Sequence, residues 1–242
     1  MLRNIPIPPG IYKDVCKLLQ HKINTSIFKP SNSSYCSRWF CVVKKDSTLL
    51  RIVQSLKPLN AVTLAYSGIP PFTEQLAKQF AGRACGGMLN LYVGYDEWAL
   101  AKTSRDYTTF QMPFGALQLT TLPMGWMNLV PIFHDDITHI LWSKIPHYTV
   151  PYIDDVPIKG PESQYIQFNG TFKMIPENSG IRRFVWEHFK CLNLIIQCME
   201  YCGGTFSGFK LTLCVSEITI LGHRCTTQGH LPDPTRVDKI VN

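Results

Sequence analysis

Two carboxylates stand side by side at Asp154-Asp155, with apolar, β-rich runs on either side, His147–Ile153 before them and Val156–Ile158 after. Such a pair between two strands marks the tip of a tight hairpin. Like charges this close repel, and flanking strands would hold them together, so a divalent cation is the usual remedy. Oxygen-only ligands on a rigid hairpin suit Mg²⁺ (or Mn²⁺) carrying substrate phosphates. Asp-Asp is also ordinary turn chemistry, and that reading stays open on the dipeptide alone. Asp135-Asp136 is the internal comparison: it follows Phe133 in a helical context, has no flanking strands, and is expected to cap or to face solvent.

The elements that must position this pair can be read from periodicity. Pro8-Pro9-Gly10 opens a helical stretch with Ile11, Val15, Leu18 and Leu19 on one face. Arg38–Val43 and Leu49–Val53 read as a hairpin whose basic tip is Lys44-Lys45-Asp46-Ser47-Thr48. Thr73–Phe80 reads as a short helix ending at Gly82, Met88–Tyr95 as a strand, and Tyr107–Phe110 as another short strand. A helix is expected in the later part of 125–142. A longer one is expected from Ile181 to Met199, capped by Ser179 and stopped by Gly203-Gly204. Thr212–Val215, Ile218–Leu221 and a turn at Gln228-Gly229 close the chain as a β unit. Helices and antiparallel hairpins interleave without a βαβα rhythm, which predicts an α+β fold.

Composition limits the function classes. The 242 residues carry 24 Lys+Arg against 17 Asp+Glu, a net charge of +7 that leans towards a polyanionic partner. With 45% hydrophobic residues the chain can build a core, and disorder is excluded for most of it. No run of about 18 apolar residues appears, so no membrane partner is expected. The first residues lack a secretory pattern, so an intracellular setting, cytoplasmic or nuclear, is expected by default. Nine cysteines in a reducing compartment read as small buried side chains. Cys198, Cys202, Cys214, His223, Cys225 and His230 include no Cys-x₂-Cys pair and fit no closed zinc pattern. There is no Gly-x-Ser-x-Gly elbow and no Walker-type phosphate loop.

Five segments in order carry a resemblance: Arg51–Asn60 (RIVQSLKPLN), Met88–Tyr95 (MLNLYVGY), Leu122–Asn128 (LPMGWMN) with Phe133, Tyr152–Asp155 (YIDD), and Leu221-Gly222-His223 with Gly229 and Pro232-Asp233-Pro234. In this order they resemble the reverse transcriptase domain of gypsy-type LTR retrotransposons, and more distantly that of retroviruses. The resemblance runs from about Ile5 to Asn242. It implies a right-hand polymerase with fingers (1–66 and 98–135) and palm (67–97 and 136–242), an antiparallel palm sheet with packed helices, and a thumb largely absent. The implied reaction is RNA-directed DNA synthesis, a two-metal nucleotidyl transfer to a primer 3′-hydroxyl. The implied partners are an RNA or DNA template with its primer, and deoxynucleoside triphosphates.

Residue by residue, the resemblance gives Asp154 and Asp155 as metal-binding carboxylates. The family's third carboxylate falls at Asn90, which has no charge to offer. Losing one charged ligand from a preorganised site costs several kcal/mol, about 10²–10³-fold or more in rate. Asp96, beyond the turn, is no obvious substitute. Lys44 and Arg51 match residues that grip the triphosphate. Tyr95 matches a bulky residue beneath the incoming sugar, with a core tyrosine as the alternative. Lys210 matches a palm lysine beside the leaving group. Gly125 and Trp126 match the segment under the template and nascent pair, and Gly222 and His223 belong to the hairpin that holds the primer end. The rival expectation is a catalytically inactive transposon-derived remnant that binds nucleic acid or is vestigial.

Overall fold

The computed structural model describes residues 6–43, 50–92 and 94–234. In chain order the regular elements begin with α1 (Tyr12–Asn24), β1 (Phe28–Pro30), β2 (Arg38–Val43), β3 (Leu50–Ser55), α2 (Lys57–Val62), α3 (Thr73–Lys78) and β4 (Gly86–Asn90). Then come β5 (Phe110–Met112), β6 (Gly115–Leu119), α4 (Leu129–Ile140), β7 (Asp155–Lys159), β8 (Met174–Ile175), β9 (Asn178–Arg182) and α5 (Arg183–Tyr201). The last elements among the described residues are β10 (Thr212–Val215), β11 (Ile218–Ile220), β12 (His223–Thr226) and β13 (Gly229–Pro232). Helices and antiparallel pairings alternate, so the α+β expectation holds. No helix among the described residues is long and apolar enough to cross a membrane.

Two compact units divide the chain: Met1–Ser67 with Val93–Ile132, and Gly68–Tyr92 with Phe133–Asn242. The first holds the sheet β1-β6-β5 and the hairpin β2-β3. Val15 and Leu19, one helical turn apart on α1, are fully buried and pack with Phe28, Trp39, Phe110, Met112, Leu117 and Leu119. The indole of Trp39 donates to the Gln111 carbonyl at 2.6 Å, so the ring is buried with its polar atom satisfied.

In the second unit the central sheet runs β10-β4-β7, with β4 in the middle. β7 is an edge strand and carries Pro157, a residue that cannot donate to a ladder and is confined to such edges. The Pro157 carbonyl accepts from the Thr149 hydroxyl at 2.7 Å. β10 bulges between Thr212 and Val215, where Cys214 has φ +48°. His188 of α5 fills the bulge: it is fully buried and its Nε2 accepts from the Cys214 N–H at 3.3 Å. A Cβ on Gly87 would stand 3.0 Å from that Nε2, so this glycine makes room for the ring. A second layer packs α3 on β12 and β13, with Leu76, Ala77, Phe80, Ile218, Ile220 and Cys225 buried together.

Three local expectations are corrected. Tyr107–Phe110 is not a strand: residues Lys102–Thr108 wind into a 3₁₀ helix and the strand begins at Phe110. The Thr108 hydroxyl donates to the Arg105 carbonyl at 2.6 Å and accepts the Leu119 N–H at 2.9 Å, which competes with strand pairing. The strand read over Met88–Tyr95 stops at Asn90, and Gly94–Glu97 turns into a short 3₁₀ helix. Ser179 does not cap α5. It lies in β9, and the helix starts after Arg182 with no side-chain cap. At the other end the two glycines stop α5 as expected. The Gly204 N–H bonds the Met199 carbonyl, the Gly203 N–H bonds that of Glu200, and Gly203 takes φ +79°, the hydrogen-bond pattern of a Schellman motif.

Candidate active site

The register of the central sheet builds the site. β4 and β7 pair antiparallel with Asn90 opposite Asp155. The Leu91 N–H continues the pairing to the Asp154 carbonyl at 2.8 Å. The hairpin tip is a two-residue loop closed by reciprocal bonds between Tyr152 and Asp155 (2.8 and 3.0 Å). The arm before it forms isolated bridges, Tyr152 with Asp155 and Thr149 with Ile158, rather than a regular strand. Ile153 takes φ +58° at the first loop position. A left-handed conformation at a β-branched residue costs about 1–3 kcal/mol and persists only where its surroundings impose it. Part of that constraint is His134 of α4, whose Nδ1 accepts the Ile153 N–H at 3.3 Å. Burial lowers the His134 pKa, which keeps the acceptor nitrogen free of a proton.

Lys210 arrives through backbone anchoring at the end of β4. The Tyr92 N–H reaches the Thr205 carbonyl at 2.9 Å, and the Ser207 N–H reaches the Asn90 carbonyl at 2.8 Å. The short helix Gly208–Lys210 follows directly.

These placements bring four side chains into one network. The Asn90 amide nitrogen donates to Asp155 Oδ1 at 2.7 Å and to Asp154 Oδ2 at 3.1 Å. Its oxygen accepts from Lys210 Nζ at 2.9 Å. Asn90 is only 6% exposed, and both of its N–H bonds are used. The amide has one workable orientation, because a flip would set its N–H groups against the ammonium and its oxygen against two carboxylates. Burial raises the Asp155 pKa. The Asn90 bond opposes that, the Asp154 charge adds to it, and the Lys210 charge opposes it.

The remaining candidates are placed as follows. Arg51 lies exposed on β3, and Lys44 falls outside the described residues. Tyr95 is half-buried against Leu100, Leu122 and Leu129 in the first unit, with Trp98 and Trp126 on the same cluster. Gly125 is exposed with φ +93°, a turn that favours glycine. Asn60 holds that turn: its amide donates to the Gly125 carbonyl at 2.9 Å and accepts the Met127 N–H at 3.0 Å. Asn128 makes the same two-way bond to Leu64 and Tyr66 (2.7 and 2.9 Å). Asp96 is ion-paired with Lys22. In the second unit Gly222 takes φ +80°, and His223 opens β12. Asp135 and Asp136 lie inside α4, one exposed and one half-buried. All nine cysteines are free.

Sequence reasoning missed His134, which braces the hairpin, and His188, which fills the bulge. Their partners lie 19 and 26 residues away along the chain, and no local pattern marks either.

The whole-chain comparisons decide what this frame is. No protein-family model matches. The chain superposes over 100% of its length on the foamy viral protease–reverse transcriptase in complex with double-stranded DNA, with TM-score 0.81 and 20% identity, covering 38% of that chain. The same viral protein in complex with an RNA/DNA hybrid gives TM-score 0.79 at 19% identity, covering 29% of that chain. The fold is that of a reverse transcriptase. In sequence, 99% of the chain aligns with the retrovirus-related Pol polyprotein from transposon 412 of Drosophila melanogaster at 26% identity. The transposon Tf2-3 polyprotein of Schizosaccharomyces pombe follows at 22%. The relatives of this reverse-transcriptase-like chain are thus retrotransposon polyproteins, of which it spans 18% and 16% of the length.

Proposed function

We propose that this chain is the reverse transcriptase domain of a retrotransposon polyprotein, and that its polymerase step is impaired by Asn90. In this reading the first unit is the fingers and the second the palm. The palm would present Asp154 and Asp155 towards the 3′-hydroxyl of a primer paired to an RNA or DNA template. Arg51 and Lys44 would grip a deoxynucleoside triphosphate, and Tyr95 would sit beneath its sugar. Gly125 and Trp126 would lie under the template, and Gly222 with His223 would hold the primer end.

The observation that carries the impairment is the hydrogen bonding of the Asn90 amide to both carboxylates. The Mg²⁺ or Mn²⁺ pair on which this class of polymerase relies needs oxygen ligands facing one another. Here the third ligand position presents N–H donors to the carboxylates, and its oxygen is engaged by an ammonium. The residues present do not fit a two-ion site. The same observation favours a second reading, a remnant that binds nucleic acid without extending it.

Primer extension on an RNA template with Mg²⁺ or Mn²⁺ tests the first reading. Incorporation near background is expected for the chain as it stands, with a clear rise on Asn90→Asp. Robust extension by the unaltered chain refutes the impairment. A chain that binds primer–template in a salt-dependent way, with no incorporation before or after Asn90→Asp, supports the remnant instead.

A further inference from the structure

The carboxylate pair is not left uncompensated. Two acids sit on a tight hairpin, one of them opposite a buried asparagine, and repulsion between them would normally call for a bound cation. The structure supplies a cation from the chain itself. Lys210 is tied to Asn90 at 2.9 Å, and Asn90 is tied to both acids at 2.7 and 3.1 Å. An amide suits this relay: it donates twice and accepts once in a single fixed orientation. An aspartate at position 90 could not donate to either acid, and three acceptor-only groups would then meet one ammonium.

We propose that Lys210, relayed through the Asn90 amide, is the built-in counter-cation of Asp154 and Asp155, and that this site is organised without a divalent metal. The proposal rests on reading the pair as the polymerase carboxylates. It goes further by assigning Lys210 a standing role in the resting fold, one that withdraws it from a triphosphate. It also predicts that the stability of the chain is indifferent to divalent ions. A metal entering here has to displace an ammonium and turn an amide against its partners.

The test is metal binding and stability, read independently of polymerisation. Mn²⁺ is titrated into the full chain with free Mn²⁺ followed by electron paramagnetic resonance, and thermal unfolding is recorded with and without about 10 mM Mg²⁺. The unaltered chain is expected to bind Mn²⁺ no more tightly than about 1 mM and to shift its midpoint by less than about 1 °C. Lys210→Met removes the cation and frees the amide oxygen, so Mn²⁺ affinity should rise about tenfold or more. Asn90→Asp should lower the metal-free midpoint, with Mg²⁺ restoring it by several degrees. If Asn90→Asp does not fold without metal, Lys210→Met carries the test alone. Submillimolar Mn²⁺ binding by the unaltered chain, or no gain on Lys210→Met, overturns the proposal. The two readings fail separately. Tight Mn²⁺ binding with background extension sinks the counter-cation and spares the impaired polymerase. Robust extension sinks the impairment whatever the metal affinity.

Discussion

Acid should loosen the carboxylate-bearing unit through two histidines that are neutral for structural reasons. His134 Nδ1 accepts the N–H of the strained Ile153, and His188 Nε2 accepts the N–H freed by the β10 bulge. Burial lowers both pKa values below the ordinary 6.5. The unfolded chain therefore binds protons at these rings before the folded chain does. The stability they contribute is complete above pH 6.5 and is lost as pH falls through the folded values. Each ring can remove at most about 1.4 kcal/mol per pH unit. Between pH 6.5 and 5.0 the two together can thus remove at most about 4 kcal/mol. At about 2–4 °C per kcal/mol for a chain of this size, that bounds the fall in melting temperature at about 8–16 °C. The raised pKa of Asp155 acts in the opposite sense, since a carboxyl that binds its proton more readily when folded gains stability as pH falls. The assay is thermal unfolding from pH 7.5 to 5.0 for the chain, for His134→Gln and His188→Gln singly, and for the double variant. Glutamine keeps an acceptor and cannot titrate, so each single variant should flatten the profile and the double variant should flatten it most. A double variant with the pH slope of the unaltered chain refutes the role given to the two rings.

Two further outcomes are expected from packing and burial. Gly160→Ala would put a Cβ 2.0 Å from the Cys85 carbonyl oxygen, a backbone atom that cannot swing away, so a loss of about 3 kcal/mol or more is expected in denaturant titration. An unchanged midpoint would mean that the Cys85–Gly160 approach is not a close one. Lys159 is 7% exposed, and its ammonium donates to Gln79 and to the Pro146 carbonyl, with burial and the nearby Arg83 charge holding its pKa at about 8. The folded value lies below the unfolded one, so stability should rise between about pH 8 and 10.5, by up to about 3 kcal/mol. Lys159→Met should abolish that rise, and its persistence would assign it to another group.

The fold is legible where hydrophobic spacing and turn residues agree. Val15 and Leu19 on α1, the β2–β3 hairpin, and α5 with its Gly203-Gly204 stop all follow from local pattern. It is misread where a side chain redirects the backbone. The residue types of Tyr107–Phe110 favour a strand, yet the Thr108 hydroxyl satisfies a helical turn, and Ser179 is used by a strand rather than a cap. At the site, Asp154-Asp155 stands out because adjacent charges between apolar runs demand an explanation. Asn90 can be placed only through an ordered series of motifs. What it does there is not legible, because its donors and acceptor are assigned by partners 64, 65 and 120 residues away. Asn60 and Asn128 appear in the sequence only as motif letters, and their work as backbone clips emerges from the turns they hold.

The proline in β7 bears on a different property, the behaviour of the chain among copies of itself. An edge strand is an open row of donors and acceptors that invites another strand to add to it. In β7 the row is broken at Pro157, which has no N–H, and whose carbonyl is already taken by the Thr149 hydroxyl. The strand bearing Asp155 is thus a poor template for cross-chain pairing. The arm before the tip covers the rest of that edge: Tyr152 exchanges bonds with Asp155, and the Lys159 N–H reaches the Tyr148 carbonyl at 2.8 Å.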